Sequence, residues 1–239
     1  MPTLTNIAAL AGTEIKNQAA SSYTWSNVTI ASGRVLLAVA IWHGGTNPAT
    51  FTVSHPALSN VTLLGEATGY NTTEGRCCRL RIYEAQSNGA NGTLTVTSQG
   101  SSFWQGAVNG WLLGDAGSLR EATSAATTGD TSTSLVVSPP SSPTAAAGLA
   151  VGAAVRTGTS ADVDIVNWTT AKSQKGLASN YFTMAGAGFV DTQPGNAPTF
   201  QMGSQYARPL VGLAVRFAPT SQASSNANAR AAANLLLAA

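Results

Sequence analysis

Gly33-Arg34-Val35-Leu36-Leu37-Ala38-Val39-Ala40-Ile41-Trp42-His43 is the stretch that decides how this chain folds. At a period of two, Val35, Leu37, Val39 and Ile41 fall on one face and Leu36, Ala38, Ala40 and Trp42 on the other. Both faces are apolar, whereas a strand with one face in water alternates apolar and polar residues. Such a strand belongs in the middle of a layered structure. A helix is the competing reading. The β-branched and aromatic content and the Gly44-Gly45 stop favour a strand.

Working outward, Tyr23 to Ile30 carries β signals, while residues 1–22 lack periodicity and predict an N-terminal arm or short edge strand. Ala49 to Val53 and Asn60 to Leu64 are short strand candidates, ended by Pro56 and Gly65. Arg76 to Glu84 alternates cleanly: Cys78, Leu80 and Ile82 on one face, Cys77, Arg79, Arg81 and Tyr83 on the other. That pattern predicts an apolar face inward and a basic, aromatic-tipped face outward or against a partner. Arg79, Arg81 and Tyr83 are therefore candidate interface residues, since Arg and Tyr are favoured at interfaces. Asn88-Gly89 and Asn91-Gly92 are turn signals, followed by strand candidates at Thr93 to Thr97 and Phe103 to Leu113.

Gly117 to Asp130 reads as a small-residue linker, and after it the order of signals recurs. Thr133 to Val137 precedes a Pro/Ser turn, as Val28 to Ile30 precedes Ala31-Ser32-Gly33. Gly148 to Arg156 stands where the central strand stood, and Leu210 to Phe217 answers Phe103 to Leu113. The expected organisation is an arm (1–22), a β-sandwich (23–218) holding pseudo-repeats 24–114 and 132–218, and a tail (219–239). The expected class is all-β: a two-sheet antiparallel sandwich, jelly-roll-like, of roughly a dozen strands, since no helical segments sit between the strands. After Pro219, the Ala- and Leu-rich run from Ala227 to Ala239 predicts a short C-terminal helix. A helix that short is marginal alone, so Leu235, Leu236 and Leu237 are candidate contact residues.

Charged residues are only 9% of the chain and apolar residues 44%. Disorder goes with high charge and few apolar residues, so a folded body with neutral surfaces is expected. Low charge repulsion suits close packing in an assembly. With a net charge of +2 and no Lys/Arg run, direct nucleic-acid binding is not expected. No basic-then-apolar leader and no membrane-length apolar run is read, so the expected product is made in the cytoplasm and is soluble. Cys77 and Cys78 are adjacent and would point to opposite faces, predicting one buried thiol and one outward.

Chemistry is hard to find. His43 and His55 lie at strand ends and predict rim positions; there is no Gly-x-Ser-x-Gly elbow to supply a nucleophile. Glu66, Glu74, Glu84, Asp115, Asp162, Asp164 and Asp191 are scattered, and spacing alone pairs none as glycosidase carboxylates. Asp162 and Asp164 share a face, but two carboxylates fall short of a calcium shell. No catalytic, metal or cofactor residue is therefore assigned, and no cofactor is expected. Trp25, Trp42, Trp104, Trp111 and Trp168 could stack sugars, but their apolar context predicts core or interface packing.

The ordered strands Ser32 to Ile41, Asn60 to Gly65, Arg79 to Ala85, Gly92 to Thr97 and Phe103 to Leu113 resemble β-sandwich structural proteins of tailed-bacteriophage particles. The resemblance covers about 24–218 and rests on strand pattern. It implies a non-enzymatic virion protein, a capsid decoration (cement) or minor capsid component. It implies contacts with major capsid or tail subunits, and a homo-oligomer such as a trimer. The rival reading is a carbohydrate- or receptor-binding module of a tail fibre or spike.

Overall fold

The structure, a computed structural model, describes residues 3–10, 19–44, 50–71, 75–100, 103–114, 116–127, 134–137, 147–156, 163–166, 172–175, 182–190, 197–202 and 207–219. These residues form strands and one 3-10 turn, Ala8–Leu10. The first eight strands are β1 (Thr3–Asn6), β2 (Ser22–Ile30), β3 (Gly33–Gly44), β4 (Phe51–Ser54), β5 (Leu58–Asn71), β6 (Arg76–Ser87), β7 (Ala90–Ser98) and β8 (Gln105–Gly114). The next eight are β9 (Ala116–Thr127), β10 (Ser134–Val136), β11 (Ala147–Arg156), β12 (Val163–Val166), β13 (Lys172–Lys175), β14 (Phe182–Val190), β15 (Thr199–Met202) and β16 (Ala207–Pro219).

All pairing is antiparallel. In the first eight strands, β1 pairs with β8, β2 with β7 and β3 with β6. This nesting of early strands with late ones is jelly-roll connectivity. It yields a five-stranded sheet, β1-β8-β3-β6-β5, and a three-stranded sheet, β2-β7-β4. The second eight strands repeat it: β9 pairs with β16, β10 with β15 and β11 with β14, giving β9-β16-β11-β14-β13 and β10-β15-β12. The chain is thus an all-β sandwich whose second half reproduces the strand order of its first. The described residues form sixteen strands in four sheets, more than the dozen strands in two sheets that the sequence suggests. The repeating units run from β1 to β8 and from β9 to β16, wider than 24–114 and 132–218.

The sheets stack in four layers, with the two five-stranded sheets inside. Leu36, Ala38, Ala40 and Trp42 of β3 meet Leu149, Val151 and Ala153 of β11 and Val211, Leu213, Val215 and Phe217 of β16 in one core. Val35, Leu37, Val39 and Ile41, on the opposite face, pack with Tyr23, Trp25, Val28, Phe51, Leu94 and Val96 of the first small sheet. The double apolar periodicity of β3 thus has its cause: both faces are covered. Some contacts between the halves are exchanged pairs: β3 meets β11, β6 meets β16 as β14 meets β8, and β5 meets β9 as β13 meets β1. The relation is lopsided, since β5 also packs on β16 and β6 on β11 more closely than their counterparts do.

Local chemistry sets the details. Gly89 takes φ +83° in the turn that carries the chain from β6 in one sheet to β7 in the other, a conformation open to glycine. Asn27 and Asn60, at φ 58° and 53°, sit where β2 and β5 slip register against β7 and β6. Asn is among the few residues that tolerate this region. Gly92 lies within β7, where a β-carbon would stand 2.3 Å from Pro56 Cγ.

One organisational expectation changes. The stretch read as a linker is strand β9 as far as Thr127: its Ala, Ser and Thr side chains are too small to give a strong apolar signal. Within the expected arm or short edge strand, Thr3–Asn6 is an edge strand of the five-stranded sheet, and Ile7 and Leu10 are buried against Gly110 of β8. The C-terminal helix, with Leu235, Leu236 and Leu237, lies outside the described residues.

Candidate functional site

Strand β6 carries the densest polar cluster among the described residues, and its polar face does not point outward. Arg79, Arg81 and Tyr83 face the chain's own small sheet. Arg81 Nη1 donates to Phe51 O at 2.7 Å, Tyr83 Oη donates to the same carbonyl at 2.9 Å, and the Arg81 guanidinium lies 5.0 Å from the Phe51 ring centroid. Phe51 begins β4, an edge strand of its sheet. An inward-pointing charge thus caps an edge carbonyl that would otherwise invite another chain. The expected outward interface is corrected: the partner of Arg81 and Tyr83 is β4.

Glu66, across from Arg81 on β5, supplies the counter-charge. Its Oε2 accepts from Arg81 Nε, and its Oε1 lies 3.4 Å from Thr68 Oγ1 and 3.6 Å from Arg79 Nη2. One carboxylate therefore serves two guanidinium groups. Burial lowers the Arg79 pKa, offset in part by Glu66. Burial raises that of Tyr83 against the opposing pull of Arg81.

Both thiols are buried, which corrects the expectation of one facing outward. The physical reason is the layering, since each face of β6 has a sheet over it. Burial pushes Cys77 up to about 12 and Cys78 well above its ordinary value, so both are protonated, poor nucleophiles. The histidines are not at the rim either. His43 is buried beside Cys77. His55 is buried and structural: Nε2 donates to Val28 O at 3.0 Å, at the β2 irregularity, while Nδ1 accepts from Ala57 N at 3.1 Å. Those two bonds fix its tautomer.

The remaining candidates disperse. Glu84 pairs with Arg34, whose guanidinium lies 4.8 Å from the Phe217 ring centroid in the opposite half. Glu74, Asp115, Asp162 and Asp191 lie outside the described residues, and Asp164 falls on β12. No group of three or more potential metal ligands occurs among the described residues. Trp25, Trp42 and Trp111 are buried, and Trp168 lies outside the described residues. Trp104 is 45% exposed and meets Trp42 edge-on, with ring centroids 5.1 Å apart.

The sequence reading missed the exposed side of the molecule. Ser59 to Leu63 of β5 is exposed throughout, with Val61 and Leu63 among the few large apolar side chains in water. Strand β5 is the edge of its five-stranded sheet. Its sequence, Ser-Asn-Val-Thr-Leu, carries no charge. That absence was the available signal. No protein-family model, curated protein or solved structure matches the chain.

Proposed function

We propose that this chain is a non-enzymatic virion structural protein of a tailed phage, a capsid decoration (cement) or minor capsid component. It would stabilise the particle through contacts with major capsid or tail subunits, after synthesis in the host cytoplasm. The observation that carries the reading is the distribution of polar and apolar groups. Charged groups of β5 and β6 are turned inward, where they tie sheets together, while an uncharged sheet edge with Val61 and Leu63 is left in water. Enzymes use buried charge to perturb a reacting group; here the cluster's acceptor is a structural carbonyl. A solvent-exposed, uncharged edge from Ser59 to Leu63 suits strand-to-strand contact with a neighbouring subunit. Jelly rolls serve viral capsid and lectin domains, a fold-level support only. A closed homo-oligomer, such as a trimer, is the arrangement this reading favours.

The test is incorporation. Particles assembled with a chain lacking 221–239 should lose the protein while the truncated chain keeps its β-sheet circular dichroism. Normal incorporation would remove the tail, and Leu235 to Leu237, from the contact. A second reading has its own observation: exposed Trp104, braced by Trp42, offers a sugar-stacking ring. Saturable quenching of tryptophan fluorescence by host glycans, lost in Trp104→Ala, would favour a carbohydrate-binding tail module instead.

A further inference from the structure

Arg79 is 8% exposed, and its Nε and Nη1 are buried without an acceptor among the described residues. Its remaining nitrogen, Nη2, reaches Glu66 Oε1 only at 3.6 Å, beyond hydrogen-bond length. Glu66 is already engaged by other donors, since Oε2 accepts from Arg81 and Oε1 lies 3.4 Å from Thr68 Oγ1. Around this point two guanidinium groups face one carboxylate, an excess of one positive charge between sheets. An uncompensated buried charge is among the costliest arrangements in a protein, and a guanidinium does not escape it by losing its proton.

Cys77, two residues along the same face, brings a protonated thiol, while the hydroxyl of Thr68, the cross-strand partner of Arg79, is turned to Glu66 Oε1. We propose that the Arg79 guanidinium binds one small monovalent anion of the halide class on the face of β6 that is turned toward the small sheet. A single negative charge balances the cluster, and an ion accepting from Nε or Nη1 satisfies the unpaired donors. A doubly charged oxyanion would overcompensate and bring more acceptors than the donors require. The ion then completes the electrostatic tie that runs from β5 through β6 to Phe51.

The experiment uses the full chain crystallised in sodium bromide, with anomalous diffraction collected at the bromine edge. The expected result is an anomalous peak within about 3.5 Å of Arg79 Nε or Nη1, the range of a hydrogen bond to a large anion. In solution, melting temperature should rise by about 3 °C per tenfold chloride, replaced by gluconate at fixed ionic strength, once the site saturates. Arg79→Met should abolish that dependence. A water molecule or a carboxylate of the chain itself at Arg79, with no bromide peak, overturns the proposal. So does an unchanged chloride dependence in Arg79→Met. If that variant fails to fold, the bromide map of the native chain decides alone.

Discussion

Glu66 holds two cations in place, Arg79 and Arg81, and Arg79 also feels the charges of Cys77 and Tyr83. Replacing it by Gln keeps the size and removes the charge, leaving both guanidinium groups buried without compensation. Glu66→Gln should lower stability by about 3 kcal/mol, the scale of breaking a largely buried pair. A fall in the urea midpoint at unchanged m-value would show it. The thiols give a pH dependence. Folded Cys77 keeps its proton up to about 12, whereas an unfolded thiol loses its own near about 8.5. Stability is therefore undiminished below about pH 8 and falls as pH rises through that interval; buried Tyr23 and Tyr83, both raised, extend the loss above about pH 10. Urea titrations at neutral and alkaline pH should show this sign, and a thiol reagent should label the native chain only as fast as it unfolds. The burial of these groups was not legible in the sequence. Alternation located the polar face of β6, but the carbonyl it serves belongs to Phe51, thirty residues away in the chain from Arg81. An inward cation and an outward one alternate alike.

Individual elements differ in how plainly their sequences declare them. Strand β3 is apolar on both faces and so predicts its own central place, and Asn88-Gly89 marks the turn between β6 and β7. Strand β9, built of Ala, Ser and Thr, gives no such signal, because its place depends on pairing with β16. Small residues carry a different message in β11 and β16. Gly152 and Gly212 are register partners, and the Phe200 ring of β15 lies over both. A β-carbon at Gly152 would stand 2.4 Å from Phe200 Cδ1, and one at Gly212 2.5 Å from Cε2. Gly152→Ala and Gly212→Ala should each cost about 2 kcal/mol through overpacking. Phe200→Ala should cost about 4 kcal/mol by leaving a cavity. The informative measurement is the double variant Gly212→Ala/Phe200→Ala. Its loss should be smaller than the sum of the two single losses, because the methyl enters space the ring has left.

At the scale of the whole molecule, two jelly-roll units bury their five-stranded sheets against each other, so the broad faces that a lone unit would expose are consumed within the chain. What remains for a neighbour is edge and outer surface. Composition signals a neutral exterior, and the sequence order signals the recurrence of strands. Neither signals which edge stays open, because that depends on how far β5 projects along its only partner, β6. From Ser59 to Leu63 it is exposed on both faces, and its register slips at Asn60 and again before Gly65. Such irregularities limit indiscriminate pairing while leaving a specific partner able to match them. Replacing Val61 and Leu63 together by Lys adds charge where nothing in the fold needs apolar surface, so the melting temperature should stay within about 2 °C of the parent. Incorporation into particles should fall at least tenfold, because a lysine-bearing edge resists strand addition. Sedimentation of particles with quantitative blotting reads this directly. If the doubly substituted chain folds normally and is incorporated at the parental level, the β5 edge is not the contact, and the capsid reading loses the surface on which it rests.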